Sequence, residues 1–301
     1  MSKHFSIAGV QKSISANYEN VAALEQQVDV LMSVYPWVEM VVFSELSPLG
    51  PLTAKAQPFP NPIEDRFRAL ARKHQIWLLP GSMFEKDGDH IYNTASVINP
   101  SGELVGRYRK MFPFYPYEEG VEAGNEFFVF DVPDVGRFGV SICYDMWFPE
   151  TSRTLAAMGA EVILHPTLTP SIDREIELAI ARSTAAQQQC FFFDVNGLGD
   201  GGIGRSIVVG PHGNVLHQCG TSEEIFPIEI DLDRVRQSRE RGLKGLGQTL
   251  KSFRDRKIEF DVYGSEWSEE RYLTQLGPIL KPGRKGVKSK LAQDASKREC
   301  R

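Results

Sequence analysis

A chain of 301 residues with 42% hydrophobic and 24% charged side chains has the composition of a globular protein, which excludes a disordered or fibrous body. Its 34 Lys and Arg against 39 Asp and Glu leave a net charge of −5. The longest apolar stretches, such as Val38 to Leu46, are too short and too interrupted by charge to span a bilayer.

The charge is unevenly spread. Residues 281–301 carry eight Lys or Arg and two acids, a net of +6, which leaves −11 on the other 280 residues. An acidic body argues against nucleic acid as the main ligand. The Lys-, Gly- and Ser-containing end reads as solvated and flexible. The expected organisation is one domain over 1–280 and a basic tail over 281–301. The N-terminus lacks the pattern of a cleaved leader, and Cys143, Cys190, Cys219 and Cys300 form neither a CxxC nor a disulfide-dense array, so a cytoplasmic location is expected.

Along the chain, strand-like segments occur at 5–11, 38–45, 76–84, 92–99, 138–143, 161–165, 190–196, 206–209 and 225–230, each β-branched or aromatic and bounded by Gly, Pro or Asp. Between them, Val21, Leu24, Val28, Leu31 and Met32 form one stripe of an amphipathic helix. Further helices are expected at 63–74, 149–158 and 172–189, the last capped by Ser171 with Ile172, Ile176, Ala179 and Ile180 on its apolar face. An internal echo links TASVINPSGELV (94–105) with GRSIVVGPHGNV (204–215), each a strand, a Gly/Pro turn and a strand. Two such halves, each a sheet with helices on one face, would bury their sheets against one another as four layers, α/β/β/α.

Three residues stand out for chemistry. Cys143 ends the run GVSIC and enters the aromatic, proline-containing turn YDMWFPE, a strand-to-helix bend of the kind that exposes a nucleophile and offers the next backbone N–H to an oxyanion. Glu45 closes the apolar strand VEMVVFSE, where strand carboxyl ends hold the sites of open α/β folds. Lys110 follows GRYR and precedes MFPFYPY. Taken singly, each has a structural alternative: a buried packing thiol, a strand-end acid facing water, a solvated lysine. None of the six histidines has a context that makes it the partner of the thiol, and the lack of HxH, HExxH and CxxC elements argues against a metal.

In this order and spacing, VVFSELSPLG, GRYRKMFPFYPYEEG and GVSICYDMWFPE resemble the signatures of the nitrilase, or carbon–nitrogen hydrolase, superfamily, over about residues 4 to 231. The resemblance implies a four-layer α-β-β-α sandwich of two mixed sheets, often dimerised or further assembled through outer helices, and a cofactor-free Glu45-Lys110-Cys143 site. It also implies a second, supporting glutamate eight positions after the lysine, which is Glu118, with the adjacent Glu119 as the rival. In the implied reaction Glu45 takes the thiol proton, Lys110 favours the thiolate and holds the oxyanion with the Tyr144 N–H, and a thioester forms and is hydrolysed.

The YDMWFPE run at 144–150 is closest to the amidase, Nit-like and carbamoyl-amine branches, so hydrolysis of a small amide or carbamoyl compound with release of ammonia is preferred to hydrolysis of a nitrile. Tyr117, Tyr144, Trp147 and Thr167 are the expected pocket residues. An N-acyltransferase of the same superfamily and a non-catalytic scaffold are the alternatives, the scaffold being disfavoured by the intact Glu45, Lys110 and Cys143.

Overall fold

A computed structural model describes residues 4–264 and 272–281; all of the expected basic tail except Lys281 lies outside the described residues. The first half runs β1 (His4–Gln11), β2 (Ser13–Ile14), α1 (Val21–Val34), β3 (Met40–Phe43), α2 (Pro62–His74), β4 (Trp77–Leu79), β5 (Met83–Asp87), β6 (His90–Ile98) and β7 (Leu104–Arg109). The second runs β8 (Phe128–Val132), β9 (Gly136–Val140), α3 (Pro149–Ala157), β10 (Val162–Thr167), α4 (Arg174–Gln188), β11 (Phe191–Asn196), β12 (Leu198–Gly199), β13 (Ile207–Val209), β14 (Val215–Gln218), β15 (Glu224–Asp231) and α5 (Asp233–Arg241).

One mixed sheet has the order β15-β1-β3-β4-β6-β5 with β7 also on β6, the other β14-β13-β11-β10-β9-β8, and β2 pairs with β12. Strands β1, β3 and β4 are mutually parallel, as are β9, β10 and β11, and antiparallel strands flank each trio.

The layers follow from strand alternation. Ile7, Val42, Leu79 and Val97 of the first sheet share a core with Val140, Leu164, Phe193 and Val208 of the second. Residues one step along point the other way: Ala8, Val41, Leu78 and Ile98 meet Val21, Leu24, Val28 and Leu31 of α1 and Phe67 and Leu70 of α2. On the far side Ile163, Phe192 and Val209 meet Leu155 of α3 and Leu178, Ala181 and Ala185 of α4. Burial on both faces explains why these strands read as continuous apolar runs. The chain thus forms the four-layer α/β/β/α sandwich.

Several boundaries move. The expected strand 76–84 is two strands, β4 and β5, separated at Pro80-Gly81-Ser82. Strand β8 and the short β2 and β12 had no signal of their own. Helix α4 begins at Arg174, with Asp173 rather than Ser171 at its N-cap, and it is rotated from the expected face: Ile172 is 90% exposed and Ile176 half exposed, while Arg174, Glu177, Leu178 and Ala181 are buried. The internal echo is a true structural repeat displaced by one residue. Val97/Ile98 and Val208/Val209 carry the same bulge, and Gly102 (φ +75°) and Gly213 (φ +73°) close equivalent turns in a conformation that disfavours side chains.

The chain divides into two compact units, Met1–Pro113 with Val121–Lys251, and Phe114–Gly120 with the described part of Ser252–Arg301. In the second, Phe114 stacks on Tyr117 at 4.9 Å and Arg256 lies over the Phe253 ring at 4.2 Å. Among the described residues no helix is long and apolar enough to cross a membrane.

Candidate active site

Strands β3, β9, β10 and β11 end on the same side of the sandwich, and the candidate residues gather there. Glu45 lies two residues beyond β3, 2% exposed, with its N–H donating to the Thr167 carbonyl at the end of β10 at 3.3 Å. The two sheets therefore touch backbone to backbone beside this carboxylate. The neighbouring turn is fitted to it: Ser82 Oγ accepts from the Leu46 N–H at 3.0 Å, and a Cβ on Gly81 (φ +78°) would stand 1.9 Å from the Ser44 carbonyl oxygen, so only glycine fits.

Lys110 follows β7 and is 1% exposed, its N–H donating to the Asn93 carbonyl at 2.8 Å. Its Nζ donates to Glu45 Oε1 at 2.8 Å, and Asn93 Nδ2 donates to the same oxygen at 2.7 Å. A carboxylate and an ammonium are thus paired out of water and steered by a neutral amide, with the desolvation that makes such a pair sensitive to loss of either partner.

Cys143 opens a short 3-10 turn, Cys143–Trp147, with φ +46°, a left-handed backbone rarely taken by a residue with a Cβ. Its thiol donates to the Leu168 carbonyl at 3.7 Å. Burial pushes the thiol well above the ordinary range; the Glu45 charge raises it further and Lys110 only partly offsets this. Lys110 pulls toward the thiolate, as expected, but desolvation outweighs it and the balance favours the protonated thiol.

The turn is held by Asp145, fully buried. Its Oδ2 accepts from the Ile142 N–H at 2.8 Å and the Tyr108 hydroxyl at 2.7 Å, and Oδ1 from the Phe112 N–H at 2.9 Å. Burial lifts its carboxyl to about 6 against the pull of these donors and of Lys110.

The expected pocket residues are distributed as follows. Tyr144 is half-buried with its ring edge-on to Phe148 at 5.2 Å, and Phe148 stacks on Phe112 at 3.7 Å. Trp147 Nε1 donates to Glu177 Oε1 at 3.4 Å, as does the Thr169 hydroxyl at 3.0 Å. Thr167 is buried at the end of β10. Tyr117 is 54% exposed and belongs, with Glu118 and Glu119, to the 114–120 segment of the second compact unit; there the Phe114 N–H donates to Glu118 Oε2 at 2.5 Å.

Other groups escape sequence reasoning. Asn93 and Asp145 had only the weak signal of polar residues in apolar company. Arg174 is fully buried and bridges Glu177 Oε2 at 3.1 Å, one turn along α4, and Asp194 Oδ2 at 2.8 Å, a contact that no helical periodicity could announce. His165, inside β10, shares a 2.7 Å hydrogen bond with Ser141 Oγ, and burial, then Arg174 and Lys110, hold it neutral, down at about 3.

Residues 7–240 match the carbon-nitrogen hydrolase family model. Among relatives, the chain is 35% identical over 199 residues to a nitrilase of Pyrococcus abyssi, covering 64% of this chain and 71% of that protein. It is 32% identical to the deaminated glutathione amidase of Dictyostelium discoideum, covering 59% and 68%. The crystal structure of Saccharomyces cerevisiae Nit3, a member of branch 10 of the nitrilase superfamily, superposes with a TM-score of 0.72 at 28% identity over 79% of this chain and 94% of that one.

Proposed function

The chain belongs to the carbon-nitrogen hydrolase family, and we propose that it hydrolyses the C–N bond of a small linear amide or carbamoyl compound through Cys143, Glu45 and Lys110. The observation that carries this reading is the buried Lys110–Glu45 pair at 2.8 Å, both of whose charges act on the Cys143 thiol.

Because the thiol is protonated at rest, a base must remove its proton as it attacks. Glu45 takes the S–H proton while Sγ bonds to the carbonyl carbon, and the oxyanion is held by the Lys110 ammonium and the Tyr144 N–H. As the C–N bond breaks, Glu45 returns the proton to the leaving nitrogen, so a primary amide yields ammonia and a thioester. Glu45 then takes a proton from water as its oxygen adds to the thioester. Collapse expels sulfur, which regains that proton. The sum is amide plus water to acid plus ammonia. Tyr144, Trp147 and Thr167 are the acyl-pocket residues of this scheme.

The test is ammonia release across aliphatic amides, carbamoyl compounds, ω-amides and matched nitriles. A primary amide should show the higher kcat/KM. Cys143→Ala should abolish turnover, and Glu45→Gln or Lys110→Met should lower it by at least about 10²-fold. A folded Cys143→Ala variant that keeps turning over would sink the assignment. Nitrile hydrolysis is the second reading, favoured by the name of the 35% identical relative, and a nitrile that outruns its amide would establish it.

A further inference from the structure

At the opposite edge of each sheet, three side chains with metal-binding atoms converge. His217 and Cys219 sit two apart along and just beyond β14, so both face the space between the sheets; Glu224 opens β15 on the facing edge. One donor atom from each lies within 4.8 Å of the other two. This His-x-Cys-x4-Glu spacing falls outside the usual zinc motifs because the ligands come from two strand ends and the turn between them.

We propose that His217, Cys219 and Glu224 form a binding site for a divalent metal of zinc type, tying the edge strand of one sheet to the edge strand of the other. Imidazole, thiolate and carboxylate together suit a borderline-soft ion, and three protein ligands leave a fourth position for water.

For His217 and Glu224 the geometry needs little change. His217 Nε2 and Glu224 Oε1 are hydrogen-bonded 2.6 Å apart where the ion would sit. Two tetrahedral ligands at normal zinc distances stand about 3.4 Å apart, so the pair must part by less than an ångström. Binding releases the Cys219 thiol proton to solvent, and ligation through Nε2 places the His217 N–H on Nδ1.

The surroundings already hold the ligands in place. Gln11 Nε2 donates to the Gly220 carbonyl at 2.9 Å and the Ser222 carbonyl at 2.7 Å, fixing the turn that joins Cys219 to Glu224. Glu223 is anchored by Lys12 Nζ at 2.8 Å and the Ser13 N–H at 3.0 Å, which directs the chain into β15. Cys219 N–H donates to the Ser206 carbonyl at 2.9 Å, and the His217 ring stacks on Phe226 at 5.6 Å. Ligands whose backbone is independently tethered lose little freedom on binding.

The experiment uses cobalt(II) as the probe on full-length Cys143→Ala protein, so that the candidate nucleophile cannot bind it. The expected result is a thiolate-to-cobalt charge-transfer band saturating at one equivalent per chain, displaced by zinc. Adding Cys219→Ser should remove the band, and adding His217→Gln or Glu224→Gln should weaken cobalt binding by at least about tenfold. Absence of the band in folded protein, or a band that survives Cys219→Ser, overturns the proposal. If Cys219→Ser does not fold, unchanged affinity in both the His217→Gln and Glu224→Gln proteins overturns it equally.

Discussion

Tyr108 and Asp145 meet at 2.7 Å in the closed interior, and through that contact the strand that leads to Lys110 is tied to the turn that begins at Cys143. The three donors to Asp145 come from both sides of the site, from Tyr108 and Phe112 around Lys110 and from Ile142 before Cys143. Asp145 is a positioning residue.

Removing the Tyr108 hydroxyl leaves Asp145 with its two backbone donors, so Tyr108→Phe should cost about 1 kcal/mol of stability and reduce kcat more than it raises KM. Asp145→Ala strands three donors, two of them buried, and should cost roughly 3 kcal/mol. Urea denaturation with steady-state kinetics checks both. An Asp145→Ala protein with wild-type stability and turnover would show that the turn holds itself.

His165 gives a pH dependence of defined sign. The imidazole titrates near 6.5 when unfolded and at about 3 when folded, so the native state binds fewer protons in between. Its contribution to stability is therefore complete above pH 6.5 and is lost as pH falls toward 3, by up to about 1.4 kcal/mol per pH unit. His165→Gln, which cannot take up the proton, should lose stability less steeply over that window. Parallel curves for the two proteins, from urea midpoints at several pH values, would refute the assignment.

What could be read in advance divides along a physical line. The four-layer arrangement was legible because sheets buried on both faces must be apolar throughout, and α1 carries the stripe that α/β packing demands. Glu45, Lys110 and Cys143 were legible as charges or a thiol at strand ends, out of place by composition. Helix α4 misled because its buried face is led by Arg174 and Glu177, whose burial depends on Asp194, a partner distant in sequence. Hydrophobic periodicity weighs only apolar residues, so it turned the helix toward Ile172 and Ile176. Asp145 and Asn93 act through hydrogen bonds across strands, for which one sequence has no local signal.

That buried triad makes its own prediction. Arg174 is the cation for both Asp194 and Glu177, and burial pushes the carboxyls of both upward against its pull. Replacing Arg174 by Met leaves two acids facing one another out of water, which should cost about 3–5 kcal/mol. Because Glu177 also accepts from Trp147 and Thr169, the expected pocket wall should loosen and KM should rise. Arg174→Met combined with Asp194→Leu should recover part of the loss, and strict additivity in the double-mutant cycle would argue against a coupled network.

The last prediction concerns the backbone at Cys143. At an ordinary position Gly is less stable than Ala by roughly 0.5–1 kcal/mol, because it gives up more conformational freedom on folding. Cys143 has φ +46°, where a Cβ is crowded and glycine is not. The order should therefore invert: Cys143→Gly should be at least as stable as Cys143→Ala, although both are expected to be inactive. Both variants remove the same sulfur, so lost thiol burial largely cancels, and the difference isolates the backbone. Matched thermal and urea unfolding of the two proteins measures it. If Cys143→Ala is the more stable by the ordinary margin, the turn relaxes once the thiol is gone, and the left-handed backbone is imposed by the side chain rather than by the Asp145 and Ile142 contacts that surround it.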